Sequence, residues 1–236
     1  MNHEVAVTRL ETPMTRSRFQ SGLDELKDRL TEMSISAERS IELGIEAYLT
    51  RDSRIADEVF KLERETNSAE REIDQLAIDL LAMQQPMAID LRFITACMKI
   101  NADLERVADQ AVNIAECALA EINLPKMKLP VDLGRMATTV AGMIRRALDS
   151  FIDANAELAE AVLIMDDAVD RMNKDIFVSM ASLMRSNPQS VDQALNAVVV
   201  ARNLERVADH ATNIAEDVIF WVEGKDVRHG AAKEAV

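Results

Sequence analysis

Aromatic side chains make up only 3% of this 236-residue chain, with six phenylalanines, one tryptophan and one tyrosine. Glycine (six) and proline (five) are as sparse. A sandwich or barrel needs frequent turns and strand-forming side chains, and this composition argues against both. The longest stretch without a charge, Leu80–Ile89, covers ten residues, too short to cross a bilayer as a helix. Residues 1–15 carry Glu4, Arg9 and Glu11 and lack the apolar core of a secretion signal. The chain is therefore expected to be cytoplasmic, meeting membranes only through partners. Its two cysteines, Cys97 and Cys117, fall on one predicted helix about 30 Å apart, beyond disulfide reach; Cys97 lies on the apolar side and reads as a buried thiol. Positive charge is the minority: 27 Lys and Arg face 41 Asp and Glu, a net charge of −14. That balance excludes a general electrostatic footprint for nucleic acid and adsorption to anionic lipid.

What remains is helix-core material, including thirteen methionines that suit gap-filling in bundles. Ile55, Val59, Leu62, Thr66, Ala69, Ile73, Leu76 and Leu80 keep a strict 4–3 spacing, a heptad seam. Leu158, Val162, Met165, Val169, Met172, Ile176, Ser179 and Leu183 repeat it 103 positions later. A shorter seam, Leu23, Leu26, Leu30, Met33 and Ala37, has its counterpart in Leu133, Met136, Val140, Met143 and Ala147. The predicted map is six helices near 16–49, 53–83, 86–122, 132–153, 156–185 and 188–223. Thr50–Asp52 and Asn155 mark turns, Pro125–Pro130 is the hinge, and 225–236 is a frayed tail. Pro86 and Pro188 suit first helical turns. Val198-Val199-Val200 favours strand locally, but the surrounding helical period overrides it. The expected fold is all-α: two tandem antiparallel three-helix bundles, 16–123 and 131–224, related by an internal repeat.

The repeat is sharpest in the last helix of each unit. Between 104–116 and 204–216 eleven of thirteen positions are identical, whereas 91–100 and 191–200 share none. The offset there is 100 rather than 103, so the second unit has lost three residues, most simply where Met83–Met87 aligns with Ser186-Asn187-Pro188. At about 100° per residue, Glu105, Glu116, Asp109 and Asn113 form one stripe, with Arg106 beside it and the apolar arc on the other side. Glu205, Asp209, Asn213 and Glu216 repeat the stripe. Carboxylates four apart repel, costing a helix about 0.2–0.5 kcal/mol per pair. Oxygen-only stripes suit magnesium, manganese or iron and can supply zinc. An acidic helix face is more often merely solvated, or a docking face that needs no metal; duplication of the stripe favours metal over both.

These residues resemble the PhoU family, the accessory and regulatory proteins of high-affinity phosphate transport. The resemblance rests on Gln84-Gln85-Pro86-Met87-Ala88-Ile89-Asp90-Leu91-Arg92, on Asp103-Leu-Glu-Arg-Val-Ala-Asp109 with Asn113 and Glu116, and on Asn203-Leu-Glu-Arg-Val-Ala-Asp209 with Asn213 and Glu216. It covers about 16–224. It implies a non-enzymatic cytoplasmic adaptor, often oligomeric and here expected as a homodimer. Its implied partners are the ATPase subunit of the phosphate ABC transporter and a phosphate sensor histidine kinase. It would hold phosphate-starvation genes and uptake down when phosphate is plentiful. It also implies multinuclear iron or zinc on the Glu-x-x-x-Asp motifs, carried here by Glu105, Asp109, Glu205 and Asp209.

Arg92, Lys99 and Arg106 recur every seven residues as a basic strip, of which the second unit keeps only Arg206. It reads either as an asymmetric partner surface or, preferably, as intramolecular pairing with the acidic stripe. Asn203 replaces Asp103 off the stripe, with little effect expected on metal. His210 replaces Gln110 and points away from the stripe, so an exposed polar residue is expected rather than an extra ligand. Two other classes stand beside the adaptor. A ferritin-like di-iron enzyme needs Glu-x-x-His pairs, and none of the three histidines has Glu three positions before it. A metal-free scaffold would use the acidic stripes for docking. No glycine-rich phosphate loop is present, so an ATPase is expected in a partner chain.

Overall fold

A computed structural model describes residues 13–83 and 86–228; Gln84, Gln85 and the tail beyond 228 lie outside them. Six long helices follow in order: α1 (Pro13–Thr50), α2 (Ser53–Met83), α3 (Ala88–Ile122), α4 (Leu133–Ile152), α5 (Ala156–Ser186) and α6 (Val191–Glu223). A 3₁₀ turn, Pro188–Ser190, precedes α6. The valine run 198–200 is helical. The fold is all-α, two three-helix bundles as the periodicity implies. α3 starts two residues later than expected, at Ala88, with Pro86 outside the helix.

The three-residue difference between units is visible at one place. Residues 84–87 separate α2 from α3, whereas Asn187 alone separates α5 from the 3₁₀ turn. Asn187 accepts from the Gln189 N–H there. The α1–α2 and α4–α5 corners are built alike: Arg51 (φ 60°) and Ala154 (φ 49°) hold the left-handed conformation 103 positions apart. Side-chain caps start the second-unit helices, Asp132 accepting from Arg135 N–H and Asn155 from Leu158 N–H.

The heptad seams bury as half-seams. Val59, Thr66, Ile73 and Leu80 are buried, as are Val162, Val169 and Ile176, while the residues between them are partly covered. α2 and α5 are outer helices. α3 and α6 are central: each packs on both other helices of its own unit and on each other. Their contacts run antiparallel: Lys99 to Asp217, Asn213 to Asp103, Asn113 to Asn203, Asn196 to Glu121. This register places its midpoint near Ala108 and Ala208, a local two-fold. Ala108, Ala111 and Ala115 of α3 and Ala208, Ala211 and Ala215 of α6 are fully buried in the core, where α1 comes close: a Cβ on Gly44 would stand 3.1 Å from the Ala111 carbonyl oxygen. The tandem bundles thus share one continuous core. Phe93, Phe151 and Trp221 close one end as a cluster, with centroids 4.9–6.1 Å apart. Cys97 and Cys117 are buried free thiols, and burial pushes both up, Cys117 to about 11.

At the other end an ion pair is buried. Arg51 Nη2 meets Glu121 Oε2 at 2.5 Å and Arg51 Nη1 donates to Leu124 O at 2.7 Å. Asn196 Nδ2 donates to the second Glu121 oxygen at 3.1 Å. Removing one member of a buried pair leaves the other charge without compensation. Arg51→Ala is expected to lower unfolding free energy by about 3 kcal/mol. Arg54→Ala, which breaks only the exposed pair with Asp52, should leave the urea midpoint unchanged; equal midpoints for the two variants would refute this account of the corner.

Candidate functional site

Glu105 and Asp109 leave α3 on the side covered by α2, where Glu63 and Glu70 face them. Burial raises the Glu105 carboxyl above the usual range. Asp109 and Glu70 raise it further, Arg106 opposes, and Glu63 adds a smaller push. Asp109 is raised by burial and then by Glu63, again against Arg106. The second unit repeats the cluster between α5 and α6. Burial, then Glu205, Asp166 and Asp170, push Asp209 up to about 6, with His210 opposing. Asp166 is raised by burial and by Asp170, Asp167 and Glu205. These are like charges gathered against their own repulsion, the electrostatic signature of sites that take up a cation or a proton.

The α2 and α5 contributions were missed by the sequence reading. A signal was there: at the 103-residue offset, Glu63, Asn67 and Glu70 fall on Asp166, Asp170 and Asn173. Carboxylate or amide oxygens occupy all three positions in both helices, beside the heptad seam rather than in it. Asn67 donates to Glu63 Oε1 at 2.5 Å. Its own Oδ1 is buried without a hydrogen-bond partner among the described residues. An orphaned oxygen beside a carboxylate cluster fits the all-oxygen donor set of a hard or borderline cation. The fit is chemical: among the described residues no three His, Cys, Asp or Glu side chains converge closely enough to hold a metal.

The other four stripe residues go elsewhere. Asn113 and Glu116 line a groove between α3 and α6 together with Asn196, Asn203 and Arg206. Asn213 and Glu216 line its two-fold counterpart with Lys99, Asp103 and Arg106. The stripe expected to be continuous is divided because α6 covers one edge of α3 while α2 covers the other. The amides act as donors across the two-fold, Asn113 to Asn203 Oδ1 at 3.1 Å and Asn213 to Asp103 Oδ1 at 3.2 Å.

Two expectations about this surface change. His210 is not an exposed polar residue: its side chain is 14% exposed and Nδ1 sits 2.8 Å from Asp103 Oδ1. A single-helix projection cannot show that α3 covers it. Asp103 and Asn203 each accept from the facing asparagine, but Asp103 also pairs with His210, whereas Asn203 turns its amide to Val199 O. In the basic strip, Lys99 pairs with Asp217 at 2.7 Å and Arg92 Nε donates to Trp221 O at 3.2 Å. Both thus hold α6 rather than the stripe. Arg106 and Arg206 are exposed.

Comparison with known proteins places this geometry in context. The family model described as PhoU domain matches residues 30–118 and 133–218. A phosphate-specific transport system accessory protein PhoU homolog of Pseudomonas putida is 35% identical over 219 residues, 92% of this chain and 85% of that protein. The homolog from Clostridium acetobutylicum is 36% identical over 216 residues, 91% and 98% of the two chains. The crystal structure of PhoU from Pseudomonas aeruginosa superposes with a TM-score of 0.84 at 32% identity, covering 88% of this chain and all of that one.

The raised Asp209 carboxyl fixes a pH dependence. Its ordinary value is 3.8 and its folded value about 6, so the folded state holds the proton more tightly and the ionised carboxylate opposes folding. The cost is absent below pH 4, grows between pH 4 and 6, and is full above. Asp209 is exposed, and solvent screening reduces the cost to about 1 kcal/mol. In cation-free protein, Asp209→Asn should therefore raise Tm by about 2–4 °C at pH 7.5 and give no gain at pH 4. A gain independent of pH would contradict the electrostatic origin.

Proposed function

Because the chain belongs to the PhoU family, we propose that it is an accessory regulator of phosphate transport, acting as an adaptor rather than as a catalyst. The carrying observation is likeness along nearly the whole chain to proteins named for the phosphate-specific transport system. In this reading the protein is cytoplasmic and a homodimer. It couples the ATPase subunit of the phosphate ABC transporter to the phosphate sensor histidine kinase, and holds starvation genes and uptake down in high phosphate. Two features of the fold favour an adaptor: no described helix is long and apolar enough to cross a membrane, and the surface is formed by long helix faces. Deletion of the gene is expected to leave starvation-gene expression high in phosphate-rich medium, with repression restored by the intact gene. Normal repression in the deletion strain would sink the proposal.

A cation completes the reading. Glu105 and Asp109 with Glu63 and Glu70, and Glu205 and Asp209 with Asp166 and Asp170, would hold it, Asn67 lending its free oxygen to the first cluster. Iron or zinc is the proposed ion, with manganese or magnesium also suited to oxygen donors. The ion would neutralise repulsion between the outer and central helix of each unit, a structural or modulatory role. Binding would release protons from the raised carboxyls. Metal analysis of tag-free protein purified without chelator should find metal in the parent, and loss of it in the Glu105→Ala/Asp109→Ala/Glu205→Ala/Asp209→Ala variant. Metal-free parent protein after loading with all four ions, with partner binding intact in the variant, would support the alternative, a metal-free scaffold docking through its acidic faces.

A further inference from the structure

α1 and α2 enclose an open groove of about 670 Å³ whose α1 wall runs from Ser21 to Ser36, about 22 Å of helix. Asp24, Glu25, Asp28 and Glu32 line it from α1 and Glu65 and Glu72 from α2, against one basic residue, Arg29. None of these is among the carboxylates clustered around α3. The floor is apolar: Met33 and Ile73 are buried and Ala69 is partly buried.

The internal repeat supplies a control. The matching groove of the second unit, between α5 and residues 130–135 at the start of α4, keeps an apolar floor, Met172 and Ile176 standing 103 positions after Ala69 and Ile73. There Asp132 and Asp175 are balanced by Arg135 and Arg171. The matching stretch of the outer helix in the second unit therefore stands beside a charge-balanced rim, and the excess negative charge of the first groove is particular to the first unit.

Three details show what the groove accommodates. Arg29 lays its guanidinium across it, 2.8 Å from Glu25 on one wall and 2.9 Å from Glu72 on the other, so the chain's own cation already bridges the rims. Among the described residues, Asp28 and Glu32 pair with no lysine or arginine, and Asp24 accepts only the Gln20 amide. Thr66, 1% exposed and part of the lining, has a hydroxyl with no hydrogen-bond partner among the described residues. The groove thus combines unneutralised carboxylates, a buried polar atom in need of a partner and an apolar floor.

We infer that this groove docks a basic amphipathic helix of a partner protein. Its apolar face lies on Met33, Ala69 and Ile73, its lysines or arginines meet the two acidic walls, and one polar side chain reaches Thr66. A bare cation or a polyamine would use the walls and leave the floor uncovered; a helix uses both. The neutral groove of the second unit does not take it.

The probe is a fluorescein-labelled peptide of about fifteen residues, leucines on one helical face and lysines on the rest, titrated with full-length protein at about physiological salt. Saturable binding is expected, weakened about tenfold or more by Asp24→Asn/Asp28→Asn/Glu32→Gln. Removing three exposed acids elsewhere, Asp57→Asn/Glu58→Gln/Glu160→Gln, should weaken it by less than about twofold. Circular dichroism of both variants should match the parent. A peptide with serines in place of the leucines should bind as weakly as the groove variant does to the original. Absence of saturable binding overturns the inference. Equal losses in both triple variants would reduce it to bulk charge. Undiminished binding of the serine peptide, or its full displacement by spermine at equal concentration, would replace the helix with a simple polycation.

Discussion

Everything in this molecule is positioned by the close antiparallel packing of α3 on α6. The crossing is tied at its flanks by Asn113 to Asn203, Asn213 to Asp103 and Lys99 to Asp217. Because Val107, Ala108 and Ala111 are committed to the core, the helical period leaves Glu105 and Asp109 only the direction of α2, and Glu205 and Asp209 only that of α5. The same crossing gives a second reason for the near-identity of 104–116 and 204–216. Each segment meets the other across the two-fold, so each contact constrains both copies at once, alongside whatever the carboxylates require.

The carboxylate clusters are the energetic counterweight to that rigid centre. Desolvation is the largest cause of the raised Glu105, Asp109, Asp166 and Asp209 carboxyls, and neighbouring acids add to it. A helix pair held apart by its own charge and drawn together by its apolar seam is balanced between two terms. Anything that binds charge at the seam shifts that balance. This links the site to the outer helices α2 and α5, which supply the facing carboxylates.

Much of this was legible in the residues. The heptads of α2 and α5 and the doubled motif of α3 and α6 show directly which helices exist and that there are two sets, since 3.5- and 3.6-residue periods are local properties. The missing three residues are equally plain, being a difference in offset. What a helical projection cannot carry is the neighbour. Asp103 and His210 fall away from the stripe on separate wheels, yet pair at 2.8 Å because two helices cross there. Lys99 has Asp103 one turn away on its own helix, yet its partner is Asp217, 118 residues away, because α6 lies alongside. Glu63 and Asp166 went unnoticed for a related reason: they lie beside a seam whose apolar period draws the eye, and become site residues only once α3 and α6 are laid along them.

The local two-fold at Ala108 and Ala208 also says something about history and freedom. Two similar units meeting face to face through the same segment, joined by the 123–132 connection, have the arrangement of a symmetric dimer whose subunits have been fused. A true homodimer must carry every surface twice; a change to one copy is imposed on the other. Fusion lifts that restriction. One half can hold an acidic groove while the other neutralises its own, and one flank of the crossing can hold an aspartate and a histidine where the other has an asparagine and a glutamine. The covalent link between the units is what allows a symmetric frame to present different faces to different molecules.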